Sequence, residues 1–173
     1  MDDAVIAHVD SPERWITVGK LFVQYFVTTE LEKSSRAIRN VGDLPVPLQA
    51  EVLEPTSHYL SPSRVWLAFR DDQAIGVTGL KTRGEGVAEL KRLFVRSNER
   101  GGVGPLLMKE VHEYAAASGF GRIVLDVMES RSGVVDWYRR IGYMETARFF
   151  MGDAPMVAME RRVDLGSTPS PMD

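Results

Sequence analysis

The chain contains no cysteine, which removes disulfide frameworks, thiolate zinc sites and a cysteine nucleophile from consideration. No apolar run approaches the roughly 20 residues needed to cross a bilayer. The first ten residues, MDDAVIAHVD, are acidic and lack the basic stretch and apolar core of a secretory leader, so a cytoplasmic protein is the simplest expectation. A basic stripe is missing too. Net charge is −3, and the nearest thing to a cluster, Arg139-Arg140 with Arg161-Arg162, sits among acids. Nucleic-acid binding normally needs such a stripe and is not expected. The three histidines, His8, His58 and His112, are scattered without metal-ligand spacing, and no metal is expected.

What is present is an ordinary globular balance. Hydrophobic residues make up 44% and charged residues 26% of 173, enough for one domain around one core. That domain is expected over 1–165, with the tail GSTPSPMD (166–173) disordered.

Hydrophobic periodicity orders the elements. A first strand is predicted over 4–9. Ser11-Pro12-Glu13 then combines a hydroxyl cap, proline at the first helical position and an acid in the first turn. Trp15, Val18, Leu21, Phe22 and Phe26 follow at helical spacing and carry the helix to about Thr29. A second short helix is predicted over 31–39, then a loop broken by Pro45, Pro47 and Pro55. Strands at 64–69, 74–82 and 87–95, joined by short polar turns, predict an antiparallel meander. A glycine-rich loop leads into a helix over 105–118 that Gly119 terminates. The apolar run 123–127 predicts a buried strand, a helix follows over 132–140, and strands near 144–150 and 156–163 end the domain. The result is an α/β chain whose mixed sheet of about seven strands is flanked by helices, with the strands at 87–95 and 123–127 parallel neighbours.

The loop carries the chemistry. Gly101, Gly102 and Gly104 fall within four positions between a strand and a helix. Glycine permits left-handed backbone and lets an anion reach the main chain without a Cβ in the way. The first helical turn adds unpaired N–H groups and the positive end of the helix dipole. The combination reads as a phosphate cradle. It is not a P-loop, because Pro105 follows Gly104 where lysine is required, and no Gly-x-Gly-x-x-Gly exists in the chain.

In this segment the chain resembles the GNAT superfamily of acyl-CoA-dependent N-acetyltransferases. Leu93-Phe94-Val95, then Glu99-Arg100-Gly101-Gly102-Val103-Gly104, then Leu106-Leu107 follow that family's strand, Arg/Gln-x-x-Gly-x-Gly/Ala loop and helix. Trp137-Tyr138-Arg139-Arg140-Ile141-Gly142-Tyr143 is similar to its Leu-Tyr-x-x-x-Gly-Phe helix end, and the likeness runs from about 65 to 150. The resemblance implies a GNAT fold and transfer of an acetyl group from acetyl-CoA to a primary amine by direct attack in a ternary complex. That suits a chain with no cysteine nucleophile and no legible serine triad. It implies pantetheine along the backbone of Leu93, Phe94 and Val95, pyrophosphate on the amides of Arg100, Gly101, Gly102, Val103 and Gly104, and Arg131 near the CoA arm.

Glu89 is the expected general base, since a substrate ammonium must lose its proton before attack. Strict alternation puts it on one face with Lys91, Leu93 and Val95; the bland alternative is an edge carboxylate paired with Lys91 or Arg92. Tyr138 is the expected general acid toward the departing thiolate, or else a packed aromatic. Glu99, Pro105, Arg131 and Tyr143 depart from the family pattern, and Arg100 is expected to supply the positive charge that Glu99 does not. Glu30, Glu32, Glu51 and Glu54 in the N-terminal segment would favour a cationic amine. A non-catalytic acyl-CoA-binding module, another acyl donor and a hydroxyl acceptor stay open, as does oligomeric state, a homodimer included.

Overall fold

The computed structural model describes residues 4–34 and 36–166; the tail expectation at 167–173 lies outside them. Seven strands, β1 Val5–His8, β2 Arg64–Arg70, β3 Gln73–Gly84, β4 Val87–Val95, β5 Arg122–Met128, β6 Met144–Glu145 and β7 Met156–Arg162, form one sheet in the order β1-β2-β3-β4-β5-β7-β6. Every pair is antiparallel except β4–β5. Helices α1 Pro12–Ser34, α2 Val46–Leu53 and α3 Pro55–His58 precede the meander, α4 Val103–Ala117 joins β4 to β5, and α5 Ser132–Arg140 follows β5. The expected mixed α/β sheet is what forms. Among the described residues no helix is long and apolar enough to cross a membrane.

The sheet buries a core on each face. On one face Leu107 and Val111 of α4 pack with Trp66, Leu80, Leu90, Ile123 and Leu125; on the opposite face Val18, Phe22 and Phe26 of α1 pack with Val52, Val65, Leu67 and Val77. Burying a large aliphatic or aromatic side chain is worth about 1.5–3 kcal/mol, so these stripes fix both helical layers.

Three elements differ from the sequence expectation. No helix runs over 31–39: α1 continues to Ser34, and the Asn40–Asp43 capping box starts a single 3-10 turn, Val41–Asp43. The expected proline-broken loop holds α2, because Pro45 and Pro47 fall at its N-cap and first turn, where a missing N–H is harmless. The strand expected over 144–150 stops at Glu145; beyond it Arg148 turns back onto the carbonyls of Gly152 and Ala154 instead of extending the ladder.

A fourth difference matters most. Arg92 has φ +58°, and β4 places two residues, Arg92 and Leu93, opposite one of β3 between the Gly79–Lys91 and Val77–Phe94 pairs. This β-bulge reverses the alternation. Ala88, Leu90, Leu93 and Val95 share the α4/α5 face, while Phe94 and Arg92 join the α1 face. The expected shared face of Glu89 with Leu93 and Val95 is therefore wrong.

Candidate active site

β4 and β5 pair only at Val87–Arg122, Ala88–Ile123 and Glu89–Val124. Beyond Glu89 the two strands part, as a bulged strand that twists away from its neighbour must, and a V-shaped gap opens between Leu90–Leu93 and Leu125–Met128. Two cavities follow from that gap.

The larger, about 750 Å³, is lined by Leu93, Phe94 and Val95 of β4, by Arg100, Gly101, Gly102, Gly104 and Pro105, and by Arg131, Trp137 and Tyr138. Gly101 (φ +129°) and Gly102 (φ +92°) make the turn into α4. A Cβ at either would meet nothing within 4 Å, so glycine is required here by conformation, not by space. Leu106 N–H bonds Gly102 C=O at 3.2 Å as the first helical bond. The N–H groups of Val103 and Gly104 therefore lie in the first turn, where no intrahelical acceptor exists; Pro105 contributes none. The Val103 side chain is buried in the core, so its backbone alone can face the cleft. Together these groups place unpaired N–H donors at the positive end of α4, an arrangement suited to an anion.

Glu99 does not spoil it. Its carboxylate pairs with Arg70 and does not line the cleft, whereas Arg100 does. Arg131, at the N-cap of α5, makes a bidentate pair with Glu32 of α1, Nε–Oε2 at 2.6 Å and Nη2–Oε1 at 2.9 Å, which lowers the Glu32 carboxyl pKa. The pair ties the end of α1 to the start of α5 beside the cleft.

The smaller cavity, about 70 Å³, lies in the V itself and shares Tyr25, Thr29, Leu93, Arg131, Val134 and Tyr138 with the larger. Tyr138 lines both. Its hydroxyl has no hydrogen-bond partner among the described residues, and burial raises its pKa well above the usual phenol value, so it is fully protonated at neutral pH. The group expected as acid thus stands at the junction of the two spaces.

Glu89 sits one layer deeper, at the floor of the V. It lines neither cavity; its carboxylate pairs with Arg83 Nη1 at 2.5 Å and with Lys91 Nζ. Lys91 Nζ lies 3.6 Å from Asp126 Oδ1. Asp126, unassigned from the sequence, is the acid of this cluster that lines the cavity, together with Lys91. A signal existed: it is the one charged residue inside the apolar run IVLDV.

Of the four N-terminal acids, Glu32 alone lines either of these two cavities. Glu51 is buried against Arg92, with Nε–Oε1 at 3.0 Å and Nη2–Oε2 at 2.7 Å, and accepts from Tyr59 Oη at 2.9 Å. Glu32 is engaged by Arg131 and Glu30 faces Lys33 at 3.5 Å. Glu54 caps α2 at the surface. Tyr25, Thr28, Thr29, Glu32 and Lys33 of α1 line the cavities; an amphipathic helix does not announce which of its polar residues border a cleft. His112 is a structural histidine, bonded to Tyr143 and Arg161 outside both cavities.

Seven mixed strands with a parted parallel pair, and a glycine-turned helix start facing the gap, define an acyltransferase of the GNAT type. The model of the Acetyltransferase (GNAT) family matches residues 27–143, and the chain belongs to that family. Among relatives, an uncharacterized N-acetyltransferase of Schizosaccharomyces pombe is 31% identical over 115 residues, 64% of this chain and 71% of that one. N-acetyltransferase 8B of Rattus norvegicus is 28% identical over 111 residues, 60% of this chain; the match spans half of that protein's length, 50%. The fold is also that of an acetyltransferase from Streptococcus agalactiae (TM-score 0.76, 18% identity, 94% of this chain and 100% of that one). PaiA N-acetyltransferase from Thermoplasma acidophilum, solved with coenzyme A, superposes with TM-score 0.65 at 18% identity over 93% of this chain and 99% of its own.

Proposed function

We propose that the protein transfers an acetyl group from acetyl-CoA to a primary amine held in a ternary complex. The observation that carries this reading is that the cleft bordered by the glycine turn and the start of α4 shares a wall, Tyr138 included, with a small polar cavity. The donor set suits the diphosphate of CoA: the amides of residues 100–104 and the side chains of Arg100 and Arg131, beside a cleft large enough for a cofactor-sized ligand. The parted edge of β4 at Leu93, Phe94 and Val95 offers main-chain groups to the pantetheine arm. The relatives bear N-acetyltransferase names, and the Thermoplasma protein of the same fold was solved with coenzyme A.

What acetyl-CoA supplies is an activated thioester. The amine nitrogen bonds to its carbonyl carbon, the C–S bond breaks, and Tyr138 Oη gives its proton to the departing thiolate. The proton of the substrate ammonium goes to a carboxylate oxygen of Asp126, the acid of the Glu89–Lys91–Asp126 cluster that lines the cavity. Glu89 is a positioning residue: paired with Lys91, it holds that ammonium beside Asp126.

Release of free CoA thiol over an amine panel, alongside calorimetric titration of acetyl-CoA, tests the reading. Tyr138→Phe is expected to lower turnover by roughly 100-fold, the lower end for loss of a positioned acid, with acetyl-CoA affinity kept. An equal loss in affinity would make Tyr138 a packing residue. Glu89→Gln and Asp126→Asn are both expected to lower turnover, with the deficit shrinking at high pH as the free amine becomes abundant.

A further inference from the structure

The small cavity has a charge pattern that speaks to what enters it. Four cationic residues, Lys33, Lys91, Arg92 and Arg131, and one carboxylate, Asp126, line it. The acids that balance three of those cations, Glu30, Glu51 and Glu89, are not in its wall. Donors are in front and their counter-charges behind.

Those donors are only partly engaged. Arg92 gives Nε and Nη2 to Glu51, and Arg131 gives the same two atoms to Glu32. Each guanidinium keeps Nη1 without a protein acceptor among the described residues, and neither is a sealed, unsatisfied group. A guanidinium has five N–H donors, so a bidentate pair leaves it capacity for a second anion. Lys33, with its side chain 30% exposed, has Glu30 at 3.5 Å. Asp126, 21% exposed, meets only Lys91, at 3.6 Å, among the described residues; that is beyond a good hydrogen bond, so its oxygens are open to the cavity.

We infer, building on the acetyltransferase reading above, that the acceptor is a free α-amino acid or a close analogue carrying a carboxylate beside the amine. Its ammonium meets Asp126, and its carboxylate takes the uncommitted donors of Arg92 and Lys33. A polyamine or a lysine side chain would bring a cation against four others and leave those donors unanswered, which disfavours it. A peptide N-terminus presents an amide where the cavity offers cations. The small volume matches a head group, with the remainder of the acceptor leaving toward solvent.

The test compares thiol release from acetyl-CoA with phenylalanine, phenylalaninamide and phenethylamine. The amide is less basic and the amine more basic than the amino acid, so basicity cannot imitate a preference for the carboxylate. Phenylalanine is expected to exceed both in kcat/KM by roughly 10- to 100-fold, the worth of a charge-assisted hydrogen bond. In Lys33→Met, a solvent-facing change in α1, that ratio is expected to fall several-fold. Equal or better use of phenethylamine overturns the inference and leaves the acetyltransferase reading standing, and so does a ratio that Lys33→Met does not move. Thiol release from no amine at all, with acetyl-CoA demonstrably bound, overturns the transfer reading and this inference with it.

Discussion

The two cavities that meet at Tyr138 are made of different materials. The larger is lined at its anion end by main chain: two left-handed glycines, a helix start and the parted edge of a strand. The smaller is lined by charged side chains contributed by α1, β4, β5 and the start of α5, held in place by pairs that cross the fold, such as Glu51–Arg92 and Glu32–Arg131. Backbone recognition depends on local conformation and tolerates wide variation in the side chains around it. Side-chain recognition depends on networks and changes whenever one member changes. One fold can therefore keep its main-chain wall while its side-chain wall is rebuilt.

The largest effect should come from breaking the network end. Glu51→Gln leaves the Arg92 guanidinium buried without its counter-charge, and unfolding stability is expected to fall by about 3–5 kcal/mol, read from urea denaturation. Because Arg92 is the bulge residue, the KM for the acceptor should rise more than that for acetyl-CoA. A loss below about 1 kcal/mol, the range of surface pairs, would show that the bulge holds without Glu51.

Next comes the cradle. Gly102→Val meets no steric obstacle but must adopt φ near +92°, which costs a β-branched residue about 1–3 kcal/mol. Acetyl-CoA affinity is expected to drop roughly 10- to 100-fold, the loop relaxing to another conformation, while acceptor discrimination at saturating acetyl-CoA is kept. Equal damage to both ends would erase the distinction between them.

The smallest effect belongs to a site outside both cavities. His112 Nδ1 accepts from the Arg161 guanidinium, so Nε2 carries the hydrogen and donates to Tyr143 Oη at 3.0 Å. Burial first, and Arg161 second, lower its pKa from 6.5 to about 4. Between those values the unfolded histidine binds a proton that the folded one does not. Its contribution is therefore lost as pH falls through that window. Discounted for partial exposure, the loss is about 1–2 kcal/mol. Melting temperature against pH should show it, and His112→Gln should flatten the slope while leaving both ligands' affinities alone.

The same contrast explains what could be read from the amino acids. The strand, glycine loop and helix at 87–117 are local: periodicity, Gly101-Gly102 and Leu106-Leu107 specify them within thirty-one residues, and the structure agrees to within two residues. The course of residues 31–53 was not legible. Pro45 and Pro47 punctuate a chain equally well as breakers or as helix starters, and only the packing of Val52 onto α1 decides. Nor does arginine announce a left-handed bulge. Arg92 adopts one where Glu51, 41 positions away, grips its guanidinium, so no pattern within the strand could have shown that Leu93 and Val95 leave the face of Glu89. Tyr138 could be nominated because it lies in a contiguous motif; Asp126 and Lys33 line a cavity assembled from distant segments.

The central claim is that main-chain amides at the start of α4 grip a CoA diphosphate. Backbone amide resonances followed by ¹H–¹⁵N correlation spectra during titration with acetyl-CoA test it most directly. Saturable downfield shifts of Gly101, Gly102, Val103 and Gly104, larger than those of any surface loop away from the cleft, are the expected result. Saturation with those four amides unmoved would contradict the account.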